Sequence, residues 1–216
     1  MNQLSRREKE KMAREADIIN AAEKIFCLKG FNEASLEEIA GEAQFTRRTL
    51  YQYFVNKEDL FFAVVLKGFR QMLAYTESLI TKELSGFDKL YRMGLGYYRY
   101  YKDFPEMLSL FNYIGYINKN PQSSPYYQKW RTFDNVMFTK LAGIIDEGKA
   151  DRSIRTDLDS QKAAYTLTFT LTGFFCQLSL TGPTFTAHFA LDQEQFVLSS
   201  LNLLFDAFHA RVNPLK

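Results

Sequence analysis

Ser35–Leu60, SLEEIAGEAQFTRRTLYQYFVNKEDL, contains two helix starts and the turn that separates them. Ser35 stands before Leu36, and Glu38 occupies the third helical position. A hydroxyl accepting the forward amide and a carboxylate reaching back to the Ser35 amide make a capping box. Leu36, Ile39, Ala40 and Ala43 repeat at i, i+3, i+4 and i+7, which predicts a short helix over Leu36–Ala43. Gln44-Phe45-Thr46 forms the turn, and Thr46 is placed to cap a second helix over Arg47–Phe54. Leu50 and Phe54 share the inner face of that helix, so Arg47, Arg48, Tyr51 and Gln52 turn outward together. Asn56 caps the next helix, with Glu58 and Asp59 at the positive end of its dipole.

Two short helices joined by a tight turn, the second exposing arginines and a tyrosine, suit a reader of duplex DNA. A helix fits the major groove and brings its outward side chains to base edges. Arg47 and Arg48 can fork onto guanine or onto phosphate. Tyr51 offers a ring for a thymine methyl and a hydroxyl for phosphate, and Gln52 can pair with adenine. Tyr53 and Lys57 lie at the far end, where phosphate clamping is natural. Each side chain taken alone reads equally as a solvated surface group; the arrangement carries the reading.

Helical spacing continues on both sides. Ile18, Ala22, Ile25 and Phe26 form one stripe, predicting a helix over Ala16–Lys29 that Gly30 ends in a left-handed cap, with Phe31 tucked back. Ser5–Arg14 (SRREKEKMAR) reads as a mixed-charge arm leading into it, either a solvated helix start or a contact to DNA. Further helices are expected over Lys57–Leu84, Phe87–Lys102, Pro105–Asn118, Pro125–Gly148, Asp159–Leu180 and Asp192–Arg211. Breaks are expected at Ser85-Gly86, Lys119–Ser124, Lys149–Thr156 and Thr181–Thr186. The fold class is therefore all-α, with a helix-turn-helix domain over 1–60 and a helical body over 61–216.

Of 216 residues, 46% are hydrophobic and 24% charged, enough apolar material for a sizeable core. Bulk charge does not announce nucleic acid: the net is +2. Even Met1–Lys57 carries ten basic against nine acidic residues, a net of +1. The placement of charge has to carry the argument. Cys27 and Cys176 sit far apart in apolar helical contexts and read as reduced thiols. The charged N-terminus shows no secretory segment and no run reaches membrane length, so a cytoplasmic protein is expected. Only two histidines occur, His188 and His209, and no triad, phosphate loop or metal-ligand spacing is visible. The chain is not expected to be an enzyme or to need a cofactor.

Ile19–Leu60 resembles the N-terminal signature of the TetR family of bacterial regulators, above all in its T-L-Y-x-Y-F-x-N-K-E-x-L core. Ile144–Ala164, IIDEGKADRSIRTDLDSQKAA, is similar to a stretch between the seventh and eighth helices of many members. The resemblance implies an all-helical homodimer of about nine helices, with a small DNA-binding head and a larger ligand-binding body. It places DNA contacts on Ser35, Arg47, Arg48, Thr49, Tyr51, Gln52, Tyr53 and Lys57. Two departures stand out. Gln44 replaces the usual glycine, at a cost of about 1 kcal/mol in a left-handed turn. Arg48 replaces a small residue, so base preferences do not carry over.

The resemblance also implies a dimer through the last two helices. The small residues Ala163, Ala164, Thr166, Thr168, Thr170, Thr172 and Gly173 suit it, as does the stripe Phe196, Val197, Leu201, Leu204, Phe205 and Phe208. Helical face and bulk nominate Tyr97, Tyr101, Phe111, Trp130, Phe133, Met137, Phe169 and Phe174 to line an effector pocket; plain core packing is the competing reading. The function expected is a repressor that binds a palindromic operator as a dimer and is released by a small apolar or aromatic effector. An activator, or a protein-interaction module on a degenerate helix-turn-helix, are the alternatives.

Overall fold

In the computed structural model, residues 5–115, 117 and 124–210 are described. Among these residues the chain forms nine α-helices. They are α1 (Arg6–Glu33), α2 (Leu36–Glu42), α3 (Arg47–Leu50), α4 (Lys57–Glu77), α5 (Gly86–Asp103), α6 (Pro105–Phe111), α7 (Pro125–Ala150), α8 (Ser160–His188) and α9 (Gln193–Asp206). A 3₁₀ turn, Asn112–Gly115, follows α6. The chain divides into two compact units, Met1–Phe69 with Leu110–Thr132, and Arg70–Ser109 with Phe133–Lys216. These are not the two consecutive spans expected from sequence: α4, α6 and α7 each contribute residues to both units.

Several boundaries differ from expectation for identifiable reasons. The expected arm Ser5–Arg14 is helix: Ser5 and Glu8 form a second capping box that starts α1 ten residues before Ala16. Gly30 interrupts α1 with φ 76°, a conformation open to glycine at little cost. The helix expected over Arg47–Phe54 is regular only to Leu50; Tyr51–Tyr53 continue it as tight turns. α4 ends at Glu77 rather than Leu84, its amides passing to three-residue bonds at Leu79 and Ile80. The break expected at Thr181–Thr186 is absent. α8 continues through Pro183, losing one backbone bond but burying Leu178, Gly182 and Thr186. The expected break Lys119–Ser124 lies outside the described residues except for Ser124, as do Asn118 and Arg211.

The core of the first unit is aromatic. Ile18, Ala22, Phe26, Ile39, Ala40, Leu50, Phe54, Leu60 and Phe61 are buried, whereas Ile25 is half-buried. Phe31 packs edge-on to Phe61 at 5.1 Å and lies 5.9 Å from Phe26. At the centre of this unit is one charge. Asn56 Oδ1 caps α4 by accepting the Asp59 amide at 2.8 Å, and Asp59 Oδ2 reaches back to accept the Val55 amide at 3.2 Å. Asp59 Oδ1 accepts the Ser124 hydroxyl at 2.7 Å and the Tyr126 amide at 2.9 Å. Asp59 is fully buried. Ser124 is itself the N-cap of α7, accepting the Tyr127 amide at 3.1 Å, and Pro125 fills the first helical position. One carboxylate thus serves the positive ends of two helices. Tyr126 adds a hydrogen bond to Glu15 Oε1 at 2.6 Å and a ring contact to Phe54 at 5.6 Å.

In the second unit, α5, α8 and α9 pack through Leu90, Tyr97, Tyr101, Leu171, Phe175, Leu201 and Phe205. Gly86 and Gly148 touch backbone to backbone, with no room for a Cβ. The loop between α7 and α8 is ordered by its own polar residues. Asp151 Oδ2 accepts the Gly86 amide at 2.8 Å, Ile154 is buried in a single bridge to His209, and Asp159 caps α8.

Asp59→Ala leaves two amides and a hydroxyl without an acceptor in a buried site. It is expected to cost about 2–4 kcal/mol in chemical denaturation of the full chain. Asp59→Asn should also destabilise, because a carboxamide cannot face all three donors with an acceptor.

Candidate nucleic-acid interface

The helix-turn-helix is closed by backbone bonds that the sequence makes possible. At the end of α2 the Phe45 amide donates to Ala40 O at 2.9 Å and the Gln44 amide to Gly41 O at 3.1 Å. This is a Schellman closure, and it puts Gln44 at φ 57°, the left-handed position anticipated for it. Thr46 caps α3, its Oγ1 accepting the Thr49 amide at 3.2 Å. At the other end of α2, Ser35 and Glu38 form the expected capping box. Lys29 joins Glu38 as an ion pair, and together these bonds hold the Glu38 carboxyl down at about 2.

The inward and outward faces fall as the spacing predicts. Leu50 and Phe54 are buried, and Arg47, Arg48, Tyr51 and Gln52 are exposed. The exposed four are not equivalent. Arg47 Nη1 pairs with Glu37 Oε1, and Nη2 donates to the Tyr51 hydroxyl at 3.1 Å. The Arg47 guanidinium also lies 5.6 Å from the Tyr51 ring centroid. Both contacts raise its affinity for the proton, Tyr51 first and Glu37 next. The side chains of Arg48 and Gln52 make no ion pair or hydrogen bond among the described residues.

The other expected contacts are partly committed. The Ser35 hydroxyl is occupied by its cap, and Thr49 Oγ1 bonds Thr46 Oγ1 at 2.9 Å. Tyr53 is half-buried. Lys57 Nζ donates to Asn32 O at 3.2 Å and lies 4.6 Å from the Phe31 ring, and burial lowers its pKa. Glu37 was invisible as a site residue from sequence. It stands ten positions before Arg47, and only the turn geometry brings them together.

The eight residues nominated for an effector pocket fall in different surroundings. Phe111 and Trp130 belong to the first unit. There Phe111 stacks on Phe69 at 4.1 Å and Trp130 packs on Phe62 at 5.7 Å. Phe169 is 84% exposed and lines no interior space. Helical face and bulk could not separate a solvent-facing position on α8 from an inward one.

Tyr97 and Tyr101 are buried against Phe175, and burial pushes the Tyr97 hydroxyl up to about 12. Tyr101 OH accepts from Gln193 Nε2 at 2.9 Å. Phe133 and Met137 are half-buried on α7, flanking Asp134. Phe174 lines a groove of about 270 Å³ with Gln177, Leu178, Thr181, Gly182, Phe185 and Phe196.

Residues 18–64 match the family model described as bacterial regulatory proteins, tetR family. The HTH-type transcriptional regulator UidR of Escherichia coli (strain K12) is 39% identical over 57 residues, 26% of this chain and 29% of that protein. The match therefore spans less than a third of the curated relative's length. Two solved structures share the fold over nearly the whole chain. One is the fatty acid degradation regulator FadR from Bacillus halodurans, with TM-score 0.69, 17% identity, and coverage of 94% of this chain and 97% of the other. The second is the transcriptional regulator FadR from Bacillus subtilis in complex with stearoyl-CoA, with TM-score 0.68, 21% identity, and coverage of 90% and 99%. No helix among the described residues is long and apolar enough to cross a membrane.

Asp134 provides a pH test of the second unit. Burial raises its pKa above the usual 3.8, and among the described residues it makes no ion pair or hydrogen bond. A raised carboxyl pKa means the folded chain holds the proton more tightly than the unfolded chain does. The penalty sets in as pH rises above 3.8 and grows until pH has passed the folded value. Asp134→Asn should therefore raise Tm at pH 7 and leave it unchanged near pH 3.5, read by thermal melts at both.

Proposed function

We propose that this chain, a member of the TetR family by its helix-turn-helix segment and its all-helical fold, is a ligand-responsive transcriptional repressor. It binds a near-palindromic operator as a homodimer. The observation that carries the reading is the exposed edge Arg47-Arg48-Tyr51-Gln52, held by the buried pair Leu50 and Phe54. A helix of one short turn presents these side chains outward, where a major groove can receive them. Ser35, Thr49, Tyr53 and Lys57 flank the edge and support it against the backbone. Arg48 is the main base reader, because its guanidinium is uncommitted.

Dimerisation uses α8 and α9. Phe169 and Leu203 are 84% and 74% exposed, and Tyr165, Leu180, Phe185 and Phe189 are also exposed on α8 or just past it. Such an apolar surface suits a self-complementary two-fold contact. Gly173 has open space over its Cα, which permits close approach of a second helix. The effector is a small apolar or aromatic molecule bound in the second unit near Tyr97, Tyr101, Phe133 and Met137. It acts only in so far as it binds two arrangements of the dimer with different free energies. α4 and α7, which belong to both units, are the covalent route for that difference.

The test is selection of bound sequences from random duplex with the full chain, at stated salt because phosphate contacts make affinity salt-dependent. A palindromic consensus is expected; no enrichment at low salt removes the regulator reading. Arg48→Ala should cost about 1–3 kcal/mol in binding and relax one column of the consensus. Leu203→Glu with Phe169→Glu should convert the dimer to monomer in sedimentation while preserving helical content.

A further inference from the structure

The three glutamates of α2 each hold a different cation: Glu37 holds Arg47, Glu38 holds Lys29, and Glu42 holds Lys24 at 2.7 Å. Arg48, next to Arg47 on the same exposed edge, has no such partner among the described residues. The consequence for Arg47 is specific. A guanidinium recognises guanine by presenting two parallel N–H groups. In Arg47 one terminal nitrogen is given to Glu37 and the other to the Tyr51 hydroxyl, with the Tyr51 ring beside it. Two of its five N–H donors are engaged within the protein, and the Glu37 carboxylate offsets its charge. Tyr51, in accepting from Arg47, keeps its own O–H free to donate, and its ring is fixed at the edge of the interface.

We propose that Glu37 is a positioning and specificity-determining residue for DNA reading. By holding Arg47 against Tyr51 it withholds one arginine from bases and phosphates, and it leaves base selection to Arg48, Gln52 and the fixed Tyr51. The inference rests on the regulator reading above and deepens it. Glu37 is well exposed and is not part of the Ser35–Glu38 cap, so its replacement leaves the helix start intact. Its role is a choice of which cation meets DNA, not a contribution to folding. An ion pair between exposed groups adds little stability, but here it decides the direction of a charge.

The experiment compares the full-length wild type with Glu37→Gln, Arg47→Gln and the double variant. All four are checked for equal helical content, then used in random-duplex selection and in salt titration of affinity. Released from Glu37, Arg47 becomes available to phosphate or guanine. Glu37→Gln should steepen the slope of log affinity against log salt by about 0.9, the value of one added phosphate contact. It should also add a guanine column to the selected consensus, and raise affinity for random duplex relative to the consensus. In the Arg47→Gln background the same change at Glu37 should add no guanine column and no slope. An unchanged slope and consensus in Glu37→Gln overturns the proposal. So does an equal effect with and without Arg47, which would mean that Glu37 acts on DNA directly. A wild-type chain that selects no sequence overturns the regulator reading and this inference with it.

Discussion

The Asp59 carboxylate is the constraint on which the first unit depends. It closes the cap of α4 and accepts the first-turn amide and the capping hydroxyl of α7 in a site closed to water. A buried charge is tolerated only where donors surround it, and here the donors are the positive ends of two helices. The residues immediately before α4 are the tight turns that carry Tyr51, Gln52 and Tyr53. The exposed edge of α3 and the start of α7 are therefore fixed to one atom group. Phe54, packed on Tyr126, and Glu15, bonded to the same tyrosine, repeat the connection by apolar and polar means.

Much of this was legible before any coordinates. The Ser35–Glu38 capping box, the Gln44 turn and the inward pair Leu50 and Phe54 follow from local rules, because caps and turns are determined by residues within five positions of one another. Asn56 as a cap was legible for the same reason. What was not legible depends on residues far apart in the chain. That Asp59 serves α7 as well as α4 could not be inferred from its place in a first turn. The pairing of Glu37 with Arg47 needs the turn to bring α2 beside α3. Pro183 read as a break because proline usually ends helices, but burial on both sides of it outweighed one lost bond. The effector residues could not be told apart for a related reason: aromatic bulk at helical spacing fits core, groove and exposed face alike, and Phe169 and Phe111 occupy different ones of these.

The two units use aromatic residues differently. In the first, rings pack edge to face around Phe26, Phe61 and Phe62, filling a small core tightly. In the second, tyrosines line the buried face of α5, with the Tyr97 hydroxyl fully buried, and Asp134 lies half-buried on α7. A packed hydrocarbon interior would have no use for these polar groups. Under the proposed function these polar groups are the ones available to an effector bound in this unit.

The left-handed turn at Gln44 has an evolutionary side. Its backbone is determined by two closure bonds, so the angle between α2 and α3 does not depend on the identity of the side chain at that position. Only residues that tolerate positive φ at modest cost can be substituted there, which leaves the hinge almost nothing to vary. If the chain reads an operator as proposed, divergence in operator choice must come from exchanging side chains on an unchanging frame. Positions 48 and 52 are the free variables, and the scaffold between them is heritable as a fixed part.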